Sequence, residues 1–339
     1  MAIRIVVDGI GIVGSQFVCE AVKKNIRIVG AVDNSAKKIG CDLGEYLGIG
    51  KMDILITKNL DEVLKREKPD LVVLCTRTNI SDIIEDIETC ILNRVNILTS
   101  SEECYFWKIT NKELGTYIDM LAEKHGVTVC AGGVQDMNWN IIPSALSAMC
   151  HNISRIEGAT LATIDNFGPV VMEEAYVGLT IEEFRTKVAK ITDVPFDAFT
   201  ISLYALAERL NLHVKSKKIS FKPVIACKEM FCKSLDIFIP IGDLIGSETI
   251  TELETTEGIV LSCSFISKLA EETDSAYNKW NIVGNPNLSL ILNDMHGDIT
   301  TTSCMINRIP DILNAKAGFI TVNDLPVPCY KTLVTNNNE

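Results

Sequence analysis

The run VVDGIGIVGSQ, residues 6–16, places glycines at 9, 11 and 14 directly after an apolar stretch, IRIVVD, and at the head of an amphipathic one that reaches Lys24. A G-x-G-x-x-G spacing by itself is common in turns. Its surroundings are the constraint: a strand before it, a helix after it, and a second strand-like run, IRIVGAVD, ending on Asp33. That is a βαβ unit with an acid at its far end, the arrangement that binds a dinucleotide. Gly9 serves the tight turn, Gly11 a close backbone approach to a pyrophosphate, and Gly14 helix–strand packing. Together with Ile12 and Val13 they offer phosphates the amides of a helix N-terminus. A turn with an incidental acid accounts for fewer of these features. Asp33 favours NAD, because a carboxylate repels a 2′-phosphate; Ser35, Lys37 and Lys38 follow at once and suit that phosphate instead. The cofactor reading is therefore NAD or NADP.

The same β/α rhythm continues. LDEVLKRE reads as a helix, DLVVLCT as a strand, ISDIIEDIETCIL as a helix, VNILT as a strand, residues 111–124 as a helix and VTVCA as a strand. Strands apolar on both faces and separated by helices predict a parallel sheet covered on two sides. After about residue 150 the pattern changes to RIEGATLATI, ISFKPVIA, SLDIFIP, GIVLSCSFI and NLSLILN, a run of antiparallel strands interrupted by helices at TIEEFRTKVAK and AFTISLYALAERL. The fold class expected is α/β: an N-terminal parallel-sheet Rossmann domain over 1–150 and an α+β domain with a largely antiparallel sheet over 151–300. The polar end, from 333, reads as a disordered tail, and the basic run HVKSKKIS (213–220) as a solvated loop.

Composition removes several function classes. A formal charge of −12 argues against a nucleic-acid surface, which needs clustered cations. It suits a cationic small molecule, as it suits many other substrates. Twelve cysteines are scattered, with no Cys-x-x-Cys and no Cys/His spacing for zinc. They read as reduced, mostly buried thiols, so no metal and a cytoplasmic setting are expected. No apolar run is long enough for a bilayer. His125, His151, His213 and His296 stand apart from one another, and no Ser/His/Asp set suggests hydrolysis.

Five segments narrow the reaction: KIGCDLGEYLGIG, VNILTSSEECYFW, AEKHGVTVCAGGV, FGPVVMEEAYVGLTIEEF and MHGDITTTSCMINRIPDILNAKAGFITVNDLPVP. In this order they resemble the 2,4-diaminopentanoate dehydrogenases and related amine dehydrogenases, and more distantly the dihydrodipicolinate reductases. The resemblance covers nearly the whole chain. It implies that 301–332 packs back on the first domain and that the protein is a homodimer. It also implies a reaction: oxidation of a carbon bearing an ammonium group, with hydride passing to nicotinamide and water releasing a ketone and ammonia. Glu102 and Glu103, just past a strand end, take the family's acidic position, one of them handling the substrate ammonium and the attacking water. Tyr105 and its aromatic neighbours would exclude water there, against the blander reading of ordinary core. Thr76 and Arg77 fall where relatives contact the nicotinamide ribose.

The resemblance also shows departures. Gln135, Asp136 and Met137 replace an Asn-Pro-Gly turn, and Phe196, Asp197 and Ala198 replace a segment with a His and a Glu. Gln135 and Asp197 are thus candidates for altered substrate contacts, as are Glu173 of the MEE run and His296 of the HGD run, each weighed against a solvated or structural role. The adjacent-histidine motif of dihydrodipicolinate reductases is absent. The remaining alternatives are a reductase of this fold with another substrate, or a dinucleotide-binding protein without turnover.

Overall fold

A strand with no polar face is stable only inside a covered sheet, and the first part of the chain supplies several. The computed structural model describes residues 2–191, 196–272 and 274–334. Its first strands are β1 (Arg4–Asp8), β2 (Arg27–Val32), β3 (Ile56–Thr57), β4 (Leu71–Leu74), β5 (Asn96–Thr99) and β6 (Thr128–Ala131). Ile5, Val6, Val7, Ile97, Leu98 and all of β4 are fully buried. Each pairs in parallel with its neighbours. The helices Leu60–Glu67 and Ile80–Leu92 coincide with the two segments read as helices from their periodicity.

The chain divides into two compact units, the split falling after Met137 and after His296. The limits drawn from sequence at 150 and 300 fall later. The helix Ile142–Ser147 accounts for the first difference, because Ile142 and Leu146 pack on the second unit's core.

That second unit contains β7 (Asn152–Thr163), β8 (Val214–Ile225), β9 (Met230–Cys232), β10 (Ile237–Ile239), β11 (Leu244–Thr255), β12 (Val260–Lys268), β13 (Tyr277–Asn285) and β14 (Leu288–Asn293). β9 and β10 form a hairpin; the others form one sheet in the order β14-β13-β7-β12-β11-β8. Every pair in that sheet is antiparallel except β7–β12. Its core is built on Trp139 and Trp280, edge to face at 5.1 Å, beneath the helix Ala198–Arg209. The run HVKSKKIS is not a loop: from Val214 onward it belongs to β8, which among the described residues is an edge strand paired with β11. Lysines on an exposed edge discourage pairing with a second chain, and that composition imitates a solvated loop. Lys222 lies opposite Glu248 in register and 3.5 Å from it.

The chain then returns to the first unit. The helix Gly297–Leu313 packs on the helix Ile12–Ala21, and β15 (Gly318–Ile320) pairs in parallel with β6. The completed sheet has the order β15-β6-β5-β4-β1-β2-β3. Trp107 anchors the last strand: its indole N–H donates to the Phe319 carbonyl at 2.9 Å and its ring stacks on Phe319. Tyr105, Phe106 and Trp107 are all buried, and Trp107 docks β15. Val334, expected to lie in the tail, is buried with its N–H on the Lys24 carbonyl; 335–339 lie outside the described residues.

All twelve cysteines are free thiols, six buried and three exposed. Burial pushes Cys75 and Cys104 up to about 12, which leaves them inert as nucleophiles at neutral pH. Among the described residues no helix is long and apolar enough to cross a membrane.

Candidate active site

In the first unit's sheet the strand order reverses between β1 and β4, and ligands of such sheets sit at that switch point, beyond the strands' C-terminal ends. Gly9 follows β1 with φ of +90°, and a Cβ there would come within 2.5 Å of the Cys75 carbonyl after β4. A Cβ on Gly14 would collide with the Gly9 carbonyl. Around Gly11 nothing lies within 4 Å of a Cβ, so the loop's outer side is open to a ligand. Gly11 caps the helix Ile12–Ala21 with no side-chain acceptor, leaving its first amides to an anion. Ile12 is 79% exposed on that open side. The Thr76 hydroxyl oxygen is buried and has no hydrogen-bond partner among the described residues. Its methyl lies 3.0 Å from a Gly9 Cβ position, so the orphan oxygen borders the loop. A cradle open to phosphates and an orphan hydroxyl beside it fit a dinucleotide.

Asp33, at the end of β2, is 9% exposed. It accepts from the Ile10 amide at 2.9 Å, the Ser35 amide at 2.8 Å and the Lys38 ammonium at 2.8 Å. Burial raises its pKa, but those donors outweigh it and hold the carboxyl below the ordinary value. Lys38, not the exposed Lys37, turns back to the acid, and its ammonium also donates to the Ile10 carbonyl at 2.8 Å. Arg77 is exposed, one residue beyond Thr76.

The acid pair lies not in an irregular loop but in a helical turn, Glu102–Tyr105, directly after β5. Ser101 precedes it, and its hydroxyl donates to the Thr78 carbonyl at 2.5 Å. The Glu103 carboxylate accepts from the Ile80 amide at 2.9 Å, at the start of the helix Ile80–Leu92, where the Asn79 side chain makes no cap. Glu103 is therefore the capping acid of that helix. Glu102 is half-buried on the same turn.

After β6 the chain enters a π-helix, Gln135–Ile141, a rare form frequent at functional sites. Gln135 is half-buried beside Gly133, and the Val134 amide donates to the Thr301 hydroxyl at 3.3 Å. In the second unit, Asp197 caps the helix Ala198–Arg209, accepting from the amides of Phe199 and Thr200 at 2.8 Å each and from the Thr200 hydroxyl at 2.9 Å. Those bonds give it a structural role in place of the expected substrate contact. Glu173, on the short helix Pro169–Glu174, and His296, the unit's last residue, are exposed. Tyr105 is 2% exposed.

Residues 138–337 match the 2,4-diaminopentanoate dehydrogenase C-terminal domain family. The chain belongs to that family. Residues 3–101 match the dihydrodipicolinate reductase N-terminus. A curated 2,4-diaminopentanoate dehydrogenase from Acetoanaerobium sticklandii is 24% identical over 334 residues, 96% of this chain and 94% of that protein. The amine dehydrogenase structure from Mycobacterium smegmatis is 32% identical, with a TM-score of 0.85 over 98% of this chain and 99% of that one. A dihydrodipicolinate reductase from Paenisporosarcina, 14% identical over 94% of this chain and 97% of that one with a TM-score of 0.54, shares the fold. This member of the 2,4-diaminopentanoate dehydrogenase family is an NAD(P)-dependent dehydrogenase.

Two features of this family member escape a reading by motif. Arg308, 1% exposed, meets the fully buried Asp136 through Nε at 2.5 Å and Nη2 at 2.9 Å, and also bonds the Pro326 carbonyl. The available signal was one cation inside the apolar run SCMINRIPDIL. The other is Asp8, 5% exposed and immediately before Gly9. Burial, then the negative charges of Asp86 and Asp33, push its carboxyl up to about 8.

The sign of the Asp8 effect is fixed by those values. In the unfolded chain the group ionises near 3.8, whereas in the fold it keeps its proton to about 8. Unfolding between those pH values releases a proton, so stability falls as pH rises through the window and levels off above it. At pH 7 the handicap is on the order of 4 kcal/mol. Asp8→Asn is expected to be more stable than the parent at pH 8, with the gap closing toward pH 4. Urea unfolding across that range checks it; a gap independent of pH would remove Asp8 as the cause.

Proposed function

We propose that this enzyme oxidatively deaminates a small amine or diamino acid, with 2,4-diaminopentanoate the leading substrate, to the ketone and ammonia. The observation that carries the reading is the place of the Glu102–Tyr105 turn, directly after β5 at the C-terminal sheet edge that also carries Gly9, Asp33 and Thr76. We assign the substrate to Glu102 of that turn, while one oxygen of Glu103 accepts the Ile80 amide. The names of the two relatives, a 2,4-diaminopentanoate dehydrogenase and an amine dehydrogenase, support the choice of reaction.

Gly9 to Gly14 would hold the pyrophosphate, Asp33 and Lys38 the adenosine ribose, and Thr76 the far end of the cofactor. A nicotinamide dinucleotide bound there supplies a hydride acceptor. Glu102 holds the substrate ammonium and takes one of its protons, which frees the nitrogen lone pair to form C=N as hydride leaves the carbon. Once that proton has passed to solvent, the carboxylate of Glu102 stabilises the iminium so formed and then orients a water. Addition of that water, transfer of its protons to the nitrogen, and cleavage of the C–N bond give ketone and ammonium. A cytoplasmic homodimer belongs to the same reading.

The test is the reduced-nicotinamide absorbance band, followed with NAD or NADP over 2,4-diaminopentanoate, ornithine, simple amino acids and short amines, and with ketones plus ammonium in reverse. Turnover on the diamine is expected. Turnover on another amine alone would reassign the substrate, and silence on every amine with cofactor bound would end the deamination reading.

A further inference from the structure

The Asp33 neighbourhood carries more than the cofactor reading asks of it. An ionised carboxylate has about four acceptor positions. In Asp33 one oxygen already takes the Ile10 amide and the Lys38 ammonium, and the other takes the Ser35 amide. Room is left for about one ribose hydroxyl. The acid is thus largely engaged in holding the glycine loop and its own turn.

Lys38 is placed differently. Its ammonium has three donors, of which the structure commits two, to Asp33 and to the Ile10 carbonyl. The pair is only partly open to solvent, at 19% for Lys38 and 10% for Asp33, so salt screens it weakly. The turn that brings the cation back is short: the Lys38 and Ile39 amides both donate to the Ser35 carbonyl. A lone acid at this strand end rejects a 2′-phosphate by charge. Here the pair is formally neutral, and it presents a charged donor.

We infer that Lys38 is the residue that reads the 2′ position of the cofactor ribose, so that it, rather than Asp33, sets the balance between NADP and NAD. This rests on the dinucleotide reading of the glycine loop but not on any amine being the substrate. A phosphate there gains a charge-assisted bond from Lys38; a hydroxyl meets the remaining position on Asp33.

The test is calorimetric titration of the purified protein, without any amine, using NAD, NADP and the half-ligands 5′-AMP and 2′,5′-ADP. Lys38→Met is expected to weaken NADP and 2′,5′-ADP by about tenfold or more relative to NAD and 5′-AMP. Lys38→Arg keeps the cation and is expected to hold the parental ratio, which separates the charge from a disturbed turn. Equal weakening of all four ligands by Lys38→Met, or no change in the ratio, would overturn the role of Lys38. If the parent protein binds neither dinucleotide, the cofactor reading falls, and this inference with it.

Discussion

Glu102→Gln is expected to lower kcat by about 10²- to 10⁴-fold, the usual contribution of a positioned proton acceptor. Glutamine keeps the shape and one acceptor oxygen but cannot take the ammonium proton. Glu103→Ala is expected to behave in the opposite way. It removes the acceptor for the Ile80 amide, which costs about 1 kcal/mol of stability as other lost helix caps do, and it reduces turnover far less. Steady-state kinetics on the amine identified by the substrate panel, with urea unfolding of both variants, separates the two acids. If Glu102→Gln retained activity to within about threefold, proton transfer would belong to another group.

The second large effect concerns stability. Arg308→Met removes the partner of the fully buried Asp136 and is expected to cost about 3–5 kcal/mol, because the carboxylate then stays unpaired away from water. Replacing both, as Arg308→Met with Asp136→Leu, is expected to recover most of the loss, since a buried ion pair adds little over apolar side chains of similar size. Denaturant midpoints of the two single variants and the double variant supply the cycle. Additive losses would mean that the two residues act independently despite their 2.5 Å contact. The pair ties the start of the π-helix after β6 to the helix Gly297–Leu313, so a softened strand end is expected to accompany the lost stability.

Much of the first unit was legible because its elements announce themselves locally. The glycine spacing, the apolar strands and the periodic helices each need only a window of a few residues, and LDEVLKRE and ISDIIEDIETCIL mark their helices to the residue. What was not legible depends on partners far away in sequence. Nothing near Glu103 shows that its carboxylate serves the amide of Ile80, and nothing near Trp107 shows that its indole serves Phe319. Both residues look like site furniture when read in place. Asp197 misled for the converse reason, since an acid two residues before a helix amide is a capping signal, and the comparison with relatives drew attention to substrate instead. Lys38 was visible beside Ser35 and Lys37 after Asp33; only the turn over 35–38 shows which of them comes back. HVKSKKIS read as a loop because charge on an edge strand and charge on a loop look alike until the pairing with β11 is known.

The position of β15 has a consequence for a chain made from one end to the other on the ribosome. β6 leaves the exit tunnel with one edge bare, and its natural neighbour is far behind: Thr128 bonds the Lys316 carbonyl across 188 residues of sequence. The Trp107 indole waits longer still, its acceptor at Phe319 lying 212 residues on. The entire second unit is synthesised in that interval. A nascent first unit therefore carries an open strand edge, and a tryptophan without its carbonyl acceptor, until the last part of the message is read. Premature termination anywhere before Gly318 releases that edge into the cell permanently.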